Sequence, residues 1–276
     1  MLRGLALACA AASLAAAAAE PPAPTLPDGS GPVTLDQPRG DIASPISANE
    51  PVYFAVGTRD HANARFQLSF KYRLFDRQFG WGRDQPWLAG LHFAYTQTSI
   101  WDLEENSKPF RDTSYRPSLF WEWQGPEKAT WLDGLRLGFE HESNGRDGAE
   151  SRSINIVFVR PEWHRDFDNG KRLEFTPKFY YYLDKQDNPD IQEYRGYVDW
   201  RLRYGNDVRS WFAIARYGTA GKGSLELDWF QRTRVLSVGG VSGYFQVQFF
   251  TGYGEDILDY NHRYESQLRL GLAIVP

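Results

Sequence analysis

This sequence has little sulfur, no long apolar stretch outside its first residues and no excess of basic charge. One cysteine, Cys9, and one methionine, Met1, occur in 276 residues. A single cysteine cannot close a disulfide within the chain. A thiolate zinc site is excluded as well, and the five histidines stand apart at 61, 92, 141, 164 and 262. Past residue 19 no run approaches the roughly 18 apolar residues that a membrane-spanning helix needs. Asp and Glu number 35 against 31 Lys and Arg, a formal net charge of −4. The basic domain that nucleic-acid binding requires is missing, so no nucleic-acid partner is expected.

Aromatic residues are abundant instead, at 16% with 10 Trp, 15 Tyr and 18 Phe. The mean hydropathy is nevertheless −0.54. The first 19 residues carry one charge, Arg3, then a small apolar run from Leu5 to Ala19 that ends in an Ala-x-Ala-like site before Glu20. These features predict a secretory signal peptide over 1–19, removed on export. Cys9 lies inside it, and a lipoprotein reading fits poorly because the apolar run continues beyond that cysteine. Residues 20–48 hold prolines at 21, 22, 24, 27, 32, 38 and 45. They read as an extended periplasmic arm or linker, since proline cannot donate to a ladder.

From residue 49 to 276 the chain alternates. In "RFQLSFKYRLF", Phe66, Leu68, Phe70, Tyr72 and Leu74 face one way and Gln67, Ser69, Lys71 and Arg73 the other. A helix of period 3.6 cannot sort those sets, whereas a strand does. About twelve such segments recur, near 52–58, 64–75, 87–101, 116–125, 132–143, 151–164, 172–183, 192–204, 207–217, 223–236, 242–253 and 262–275. Turns read at "DNGK" (168–171), "YGND" (204–207) and "AGKG" (220–223). Several segments exceed the usual 5 or 6 residues of a soluble strand, which argues against a secreted β-sandwich. The expected fold is all-β: a twelve-stranded antiparallel transmembrane β-barrel in a bacterial outer membrane, both termini periplasmic. Outer-membrane barrels often end in an aromatic residue, and Pro276 departs from that pattern.

One segment carries chemistry. In "LRLGFEHES", Leu135, Leu137, Phe139, His141 and Ser143 share the apolar face, so a histidine and a serine stand on the lipid-facing wall. Polar groups there are costly unless they work. Asn155 lies on the next segment, where a hairpin returns it beside His141. The three compose a Ser–His–Asn constellation: nucleophile, general base, and a neutral group that fixes the imidazole tautomer. Glu140 and Glu142 point to the lumen and read as lining residues rather than a glycosidase pair. In "SRSINIVFVRPEW", Ile154, Ile156 and Phe158 face the lumen too, an apolar patch for which the sequence offers no reason.

"HESNGRDGAESRSIN" resembles the signature of the outer-membrane phospholipase A family, His-x-Ser-Asn-Gly followed after a short loop by Ser-Arg-Ser-x-Asn. The likeness extends over "YTQTS" (95–99), "NSKPFRDTSY" (106–115), "DNPDI" (187–191) and "GYGEDILDYN" (252–261), in the same order. It implies a calcium-dependent hydrolase of phospholipid and lysophospholipid acyl esters, cleaving first-chain and second-chain esters, active as a homodimer. Ser143 would be the nucleophile, His141 the general base and Asn155 its orienting partner. The resemblance places one Ca2+ per active site, held by the Ser151 side chain, the Arg146 carbonyl and the Ser107 carbonyl of the partner subunit. A second, weaker calcium would use Asp187 and an acid two places after Arg146, where this chain departs from the family pattern with Gly148. Gln97 matches the polar residue that helps hold the dimer, and it shares parity with Trp87, Leu91, Phe93 and Tyr95. The competing expectation is a passive, porin-like or structural barrel.

Overall fold

The structure is a computed structural model that describes residues 44–58, 62–126, 131–238 and 241–275. The expected signal peptide, most of the arm, His61 and Pro276 lie outside those residues. Fourteen strands are described. They are β1 (Ile46–Ser47), β2 (Val52–Thr58), β3 (Ala62–Arg73), β4 (Leu91–Asp102), β5 (Phe110–Gln124), β6 (Gly134–Ser143) and β7 (Ser153–Asp166). The remainder are β8 (Arg172–Phe175), β9 (Lys178–Asp184), β10 (Val198–Gly205), β11 (Arg209–Tyr217), β12 (Gly223–Val238), β13 (Val241–Tyr253) and β14 (Arg263–Val275). Each pairs antiparallel with its neighbours, β14 returns to β2, and β3 pairs with β4, so the sheet closes on itself. Closure removes every free edge, which a sheet in lipid requires.

The wall has twelve strand positions. β8 and β9 share one of them, since both lie between β7 and β10. The break falls at Thr176 and Pro177, where the proline has no N–H to continue the ladder. β1 is a two-residue patch on β3, opposite Lys71 and Tyr72.

Alternation sorts the two faces. Phe54, Leu68, Phe93, Leu119, Phe139, Val157 and Leu270 are all exposed on the outer wall, where the solvent is lipid. The inner face is a chain of ion pairs. Arg65 bonds Glu226 at 2.6 Å, Lys71 and Arg136 share Glu122 at 3.0 and 2.6 Å, and Lys178 bonds Glu140 at 2.7 Å. Just before β2, Glu50 sits between Arg116 and Arg201, 3.2 Å from each. Pairing these charges offsets the cost of taking them from water. It also fills the lumen with side chains, an interior unlike the aqueous channel of a porin.

The apolar inward patch on β7 has a clear reason. Ile154 and Ile156 are buried against Tyr182, Ile191, Ile257 and Tyr260. Ile191 and the pair Ile257 and Tyr260 come from two connections, 185–197 and 254–262, that fold back into the barrel mouth. Phe158 packs lower down with Ala94 and Phe120. The alternation over 192–204 misleads for the same reason. Gln192–Arg195 is one helical turn inside the mouth, and the strand begins only at Val198. Gly196 makes the junction, with φ of 66° and no room for a side chain: a Cβ would lie 2.1 Å from the Tyr217 carbonyl oxygen.

Candidate active site

β6 and β7 run in uninterrupted register from Gly134 opposite Glu162 to Ser143 opposite Ser153. That register puts His141 directly across from Asn155. Both face outward, and the imidazole Nδ1 is 2.9 Å from the Asn155 amide oxygen. Drawn as Nδ1–H donating to Oδ1, the contact leaves Nε2 as the free, basic nitrogen. Ser143 stands two residues on, on the same face and half-buried. Among the described residues its hydroxyl has no hydrogen bond, so the Nε2–Oγ link is open in this state. Catalytic hydrogen bonds often tighten only around substrate.

On the other flank the β5–β6 ladder pairs Tyr115 with Ser143 and Ser118 with Glu140 but skips Arg116 and Pro117. Pro117 cannot donate there, which loosens the wall beside His141. Tyr115 also pairs with Gln97, and Gln97 with Leu68. One row across the outer wall therefore runs Leu68, Gln97, Tyr115, Ser143, Ser153. Gln97 accepts a hydrogen bond from the Tyr95 hydroxyl at 3.0 Å and donates to Ser99 at 3.3 Å. Its outward placement agrees with the parity read from the sequence.

Past Ser143 the chain leaves the wall in the loop 144–152. Asn144 organises it from a buried position. Its amide nitrogen donates to the Glu150 carbonyl at 2.9 Å, and its oxygen accepts from the backbone N–H of Arg146 at 3.3 Å and of Arg152 at 3.0 Å. Arg146 is fixed by Glu150 at 2.6 Å and by the Arg111 carbonyl. Ser151 donates to Asp187 Oδ2 at 2.8 Å, and Ser153 donates to the same oxygen at 3.0 Å. Asp187 and Ser151 thus sit together at the mouth. Gly148 is exposed with φ of 61°. Ser107 lies in the β4–β5 connection, and among the described residues Ser107 and Lys108 are the non-glycine residues with positive φ, 66° and 44°. Such backbone is held by its surroundings and collects at functional sites.

The other histidines do other things. His92 stacks on Phe120 at 5.6 Å inside the lumen, His164 lies 3.0 Å from Asp133, and His262 packs on Tyr264 at 4.5 Å. Glu140 and Glu142 are turned inward onto Lys178 and Arg195. Sequence reasoning passed over Asn144, Ser153, Tyr115 and the inward partner Arg195. Asn144 was findable, because Asn before Gly favours a side-chain-closed turn. The others depend on register and on a loop that folds inward.

The fold and this outward constellation define a class: a closed outer-membrane β-barrel with a histidine, a serine and an asparagine gathered on its lipid-facing wall. The chain belongs to the phospholipase A1 family, whose model matches residues 41–275. A Neisseria meningitidis serogroup B protein, named provisionally as a phospholipase A1, is 34% identical over 233 residues, covering 78% of this chain. The chain spans about half of that relative's length, 55%. Among solved structures, the outer membrane phospholipase A of Escherichia coli, in an asparagine-to-alanine active-site mutant, superposes with a TM-score of 0.67 at 25% identity. That match covers 87% of this chain and 95% of the other. The Salmonella typhi outer membrane phospholipase, solved as a dimer with bound calcium, gives 0.66 at 25% identity, covering 83% and 91%.

Proposed function

We propose that this protein is a calcium-dependent, serine-type phospholipase that hydrolyses acyl esters of phospholipids and lysophospholipids at either acyl position, from the outer wall of its barrel and as a homodimer. The observation that carries the reading is the His141–Asn155 pair, 2.9 Å apart on a face that meets lipid, with Ser143 beside it. An acyl chain reaches that face without leaving the bilayer.

Ser143 Oγ attacks the ester carbonyl as His141 Nε2 takes its proton. Asn155 holds the ring in the tautomer that leaves Nε2 basic, without adding a negative charge at the membrane boundary. His141 then returns the proton to the departing glycerol oxygen, and an acyl group remains on Ser143. Water, deprotonated by His141, releases the fatty acid and restores the serine.

The residues at the mouth fit calcium. Ser151 hydroxyl and Asp187 carboxylate oxygens lie 2.8 Å apart beside a loop of carbonyls. All are hard oxygen donors of the kind calcium takes. Ser151 and the Arg146 carbonyl would hold the ion with the Ser107 carbonyl of the partner subunit. Asp187 would serve a weaker second position that Gly148 leaves short of a carboxylate. When bound, calcium supplies positive charge next to the developing oxyanion. The outward Gln97, a polar side chain on the lipid-facing wall, supports an active homodimer. The relative solved as a calcium-bound dimer agrees with it.

Release of fatty acid from phosphatidylcholine in detergent micelles tests the reading, with calcium or chelator, for wild type and Ser143→Ala. Calcium-dependent release lost in the variant is the expected result. A folded, dimeric wild type that releases nothing would reject it.

A further inference from the structure

The connection 185–197 touches both sides of the two strands that bear the site. Its outer part carries Asp187, which accepts hydrogen bonds from Ser151 and Ser153. Asn188, fully buried, donates to the Ser153 carbonyl at 3.4 Å. Four residues after Asp187 the chain is inside the barrel, where Ile191 packs on Ile154 and Ile156, the inward neighbours of Asn155. At its end the helical turn 192–195 presents Arg195, buried, with Nη1 donating to Glu142 Oε2 at 2.9 Å. Glu142 is the residue between His141 and Ser143, turned the other way. Its second oxygen accepts from Ser114 at 2.7 Å. Arg195 also reaches the Asp256 carbonyl at 3.4 Å, and the Tyr180 and Tyr182 hydroxyls hold the Arg195 and Gly196 carbonyls at 3.1 Å each.

We propose that Arg195 is a positioning residue for the outer-wall site. It grips Glu142 from inside and so fixes the outward His141 and Ser143 relative to Asn155 and Asp187. The inference rests on the serine-hydrolase reading above and adds a residue to it. Three observations carry it. In a strand, a residue clamped on one face sets the outward direction of its two neighbours on the other. The ladder next to His141 is already broken at Pro117, so this piece of β6 depends on other contacts for its rigidity. Finally, the same short connection supplies the inner clamp and the outer carboxylate, so displacing one end moves the other. A buried, charge-assisted hydrogen bond is strong enough to impose that geometry.

Two readouts separate positioning from simple stability. The first is kcat and KM for phosphatidylcholine in micelles. The second is the rate at which an alkyl sulfonyl fluoride modifies Ser143 at saturating calcium: Oγ bonds to sulfur, fluoride leaves and His141 takes the proton. That rate reads the His141–Ser143 geometry without the acyl ester substrate. The variants are Arg195→Met and the double variant Arg195→Met/Glu142→Met, with heat-modifiable gel migration reporting the folded barrel. Arg195→Met is expected to lower kcat and the labelling rate at least tenfold with KM little changed. The double variant should stay as slow, because the clamp is gone even though no unpaired carboxylate remains. Wild-type rates in Arg195→Met would overturn the proposal. Recovery in the double variant would overturn it too, tracing the loss to an uncompensated buried charge. A wild type that is not labelled at Ser143 even with calcium present, or a Ser143→Ala variant with undiminished release, would instead reject the hydrolase reading and this inference with it.

Discussion

Asn155 faces His141 directly across the β6–β7 ladder, its amide oxygen 2.9 Å from the imidazole Nδ1. A partner set by sheet register is rigid, and in the proposed reaction its hold would strengthen as the ring becomes cationic. A hydrogen bond to a charged group is worth about 1.5–3 kcal/mol. Asn155→Ala should therefore lower kcat by about 10- to 100-fold with KM nearly unchanged. Asn155→Asp keeps an acceptor in place and should retain far more activity than alanine. Steady-state kinetics on both variants check the point. Equal losses would mean that acceptance at Nδ1 is not what Asn155 provides.

Glu122 is the shared anion of two cations in the lumen, 3.0 Å from Lys71 and 2.6 Å from Arg136, all three side chains nearly inaccessible. Removing one partner of a buried pair leaves charge without compensation, at a cost of about 3–5 kcal/mol. Glu122→Ala should lower the denaturant midpoint of the folded barrel markedly, while Glu122→Gln, still a hydrogen-bond acceptor, should fall between. Urea titration followed by gel mobility measures it. An unchanged midpoint would mean that water reaches this part of the lumen and screens the charges.

Asp256 gives the connection 254–262 a pH response. Burial pushes its carboxyl up to about 7, and the nearby Asp259 and Asp112 carboxylates push the same way. One oxygen accepts the Asp259 N–H at 2.7 Å, and the other has no hydrogen-bond partner among the described residues. A raised acid binds its proton more tightly folded than unfolded, so stability falls as pH rises from about 4 to about 7 and levels above that. Every tenfold gain in proton affinity on folding corresponds to about 1.4 kcal/mol. Asp256→Asn should be more stable than wild type at pH 8, with the advantage vanishing near pH 4. Unfolding midpoints across that range test the sign. A constant difference between the two proteins would remove Asp256 as its source.

Period-two alternation made most of the wall legible, because the lumen-facing and lipid-facing sets keep their parity along most of β3, β4 and β5. The His141, Ser143 and Asn155 face followed from the same parity and one hairpin. What alternation could not show is a connection that folds inward. Ile191 and Ile257 serve as core for the barrel mouth, yet their segments carry no strand or long-helix signature, so the inward Ile154 and Ile156 looked unpartnered. Arg195 shared that fate: it is four residues into a segment that reads as strand and is a helical turn. Long-range pairings such as Ser151 with Asp187 come from the closed topology rather than from local pattern.

Gln97 is a polar side chain on the lipid-facing wall, between Leu68 and Tyr115 in the row that ends at Ser143 and Ser153. Tyr95 and Ser99 use one lone pair of its oxygen and one of its two N–H groups. The remaining donor and acceptor have only lipid to meet in a monomer, where an unsatisfied polar group is costly. Against a second copy, the same residue is presented from both sides of a two-fold axis, and each amide can complete the other. Hydrogen bonds between membrane segments contribute about 1 kcal/mol apiece. Two related by symmetry amount to about 2 kcal/mol, roughly a 30-fold change in the dimer constant. Gln97→Ala should weaken self-association, measured with calcium present, by that order while the monomer stays folded. Sedimentation in density-matched detergent measures it directly. If the variant dimerises as tightly as wild type, the two-fold axis does not pass near this row of the wall.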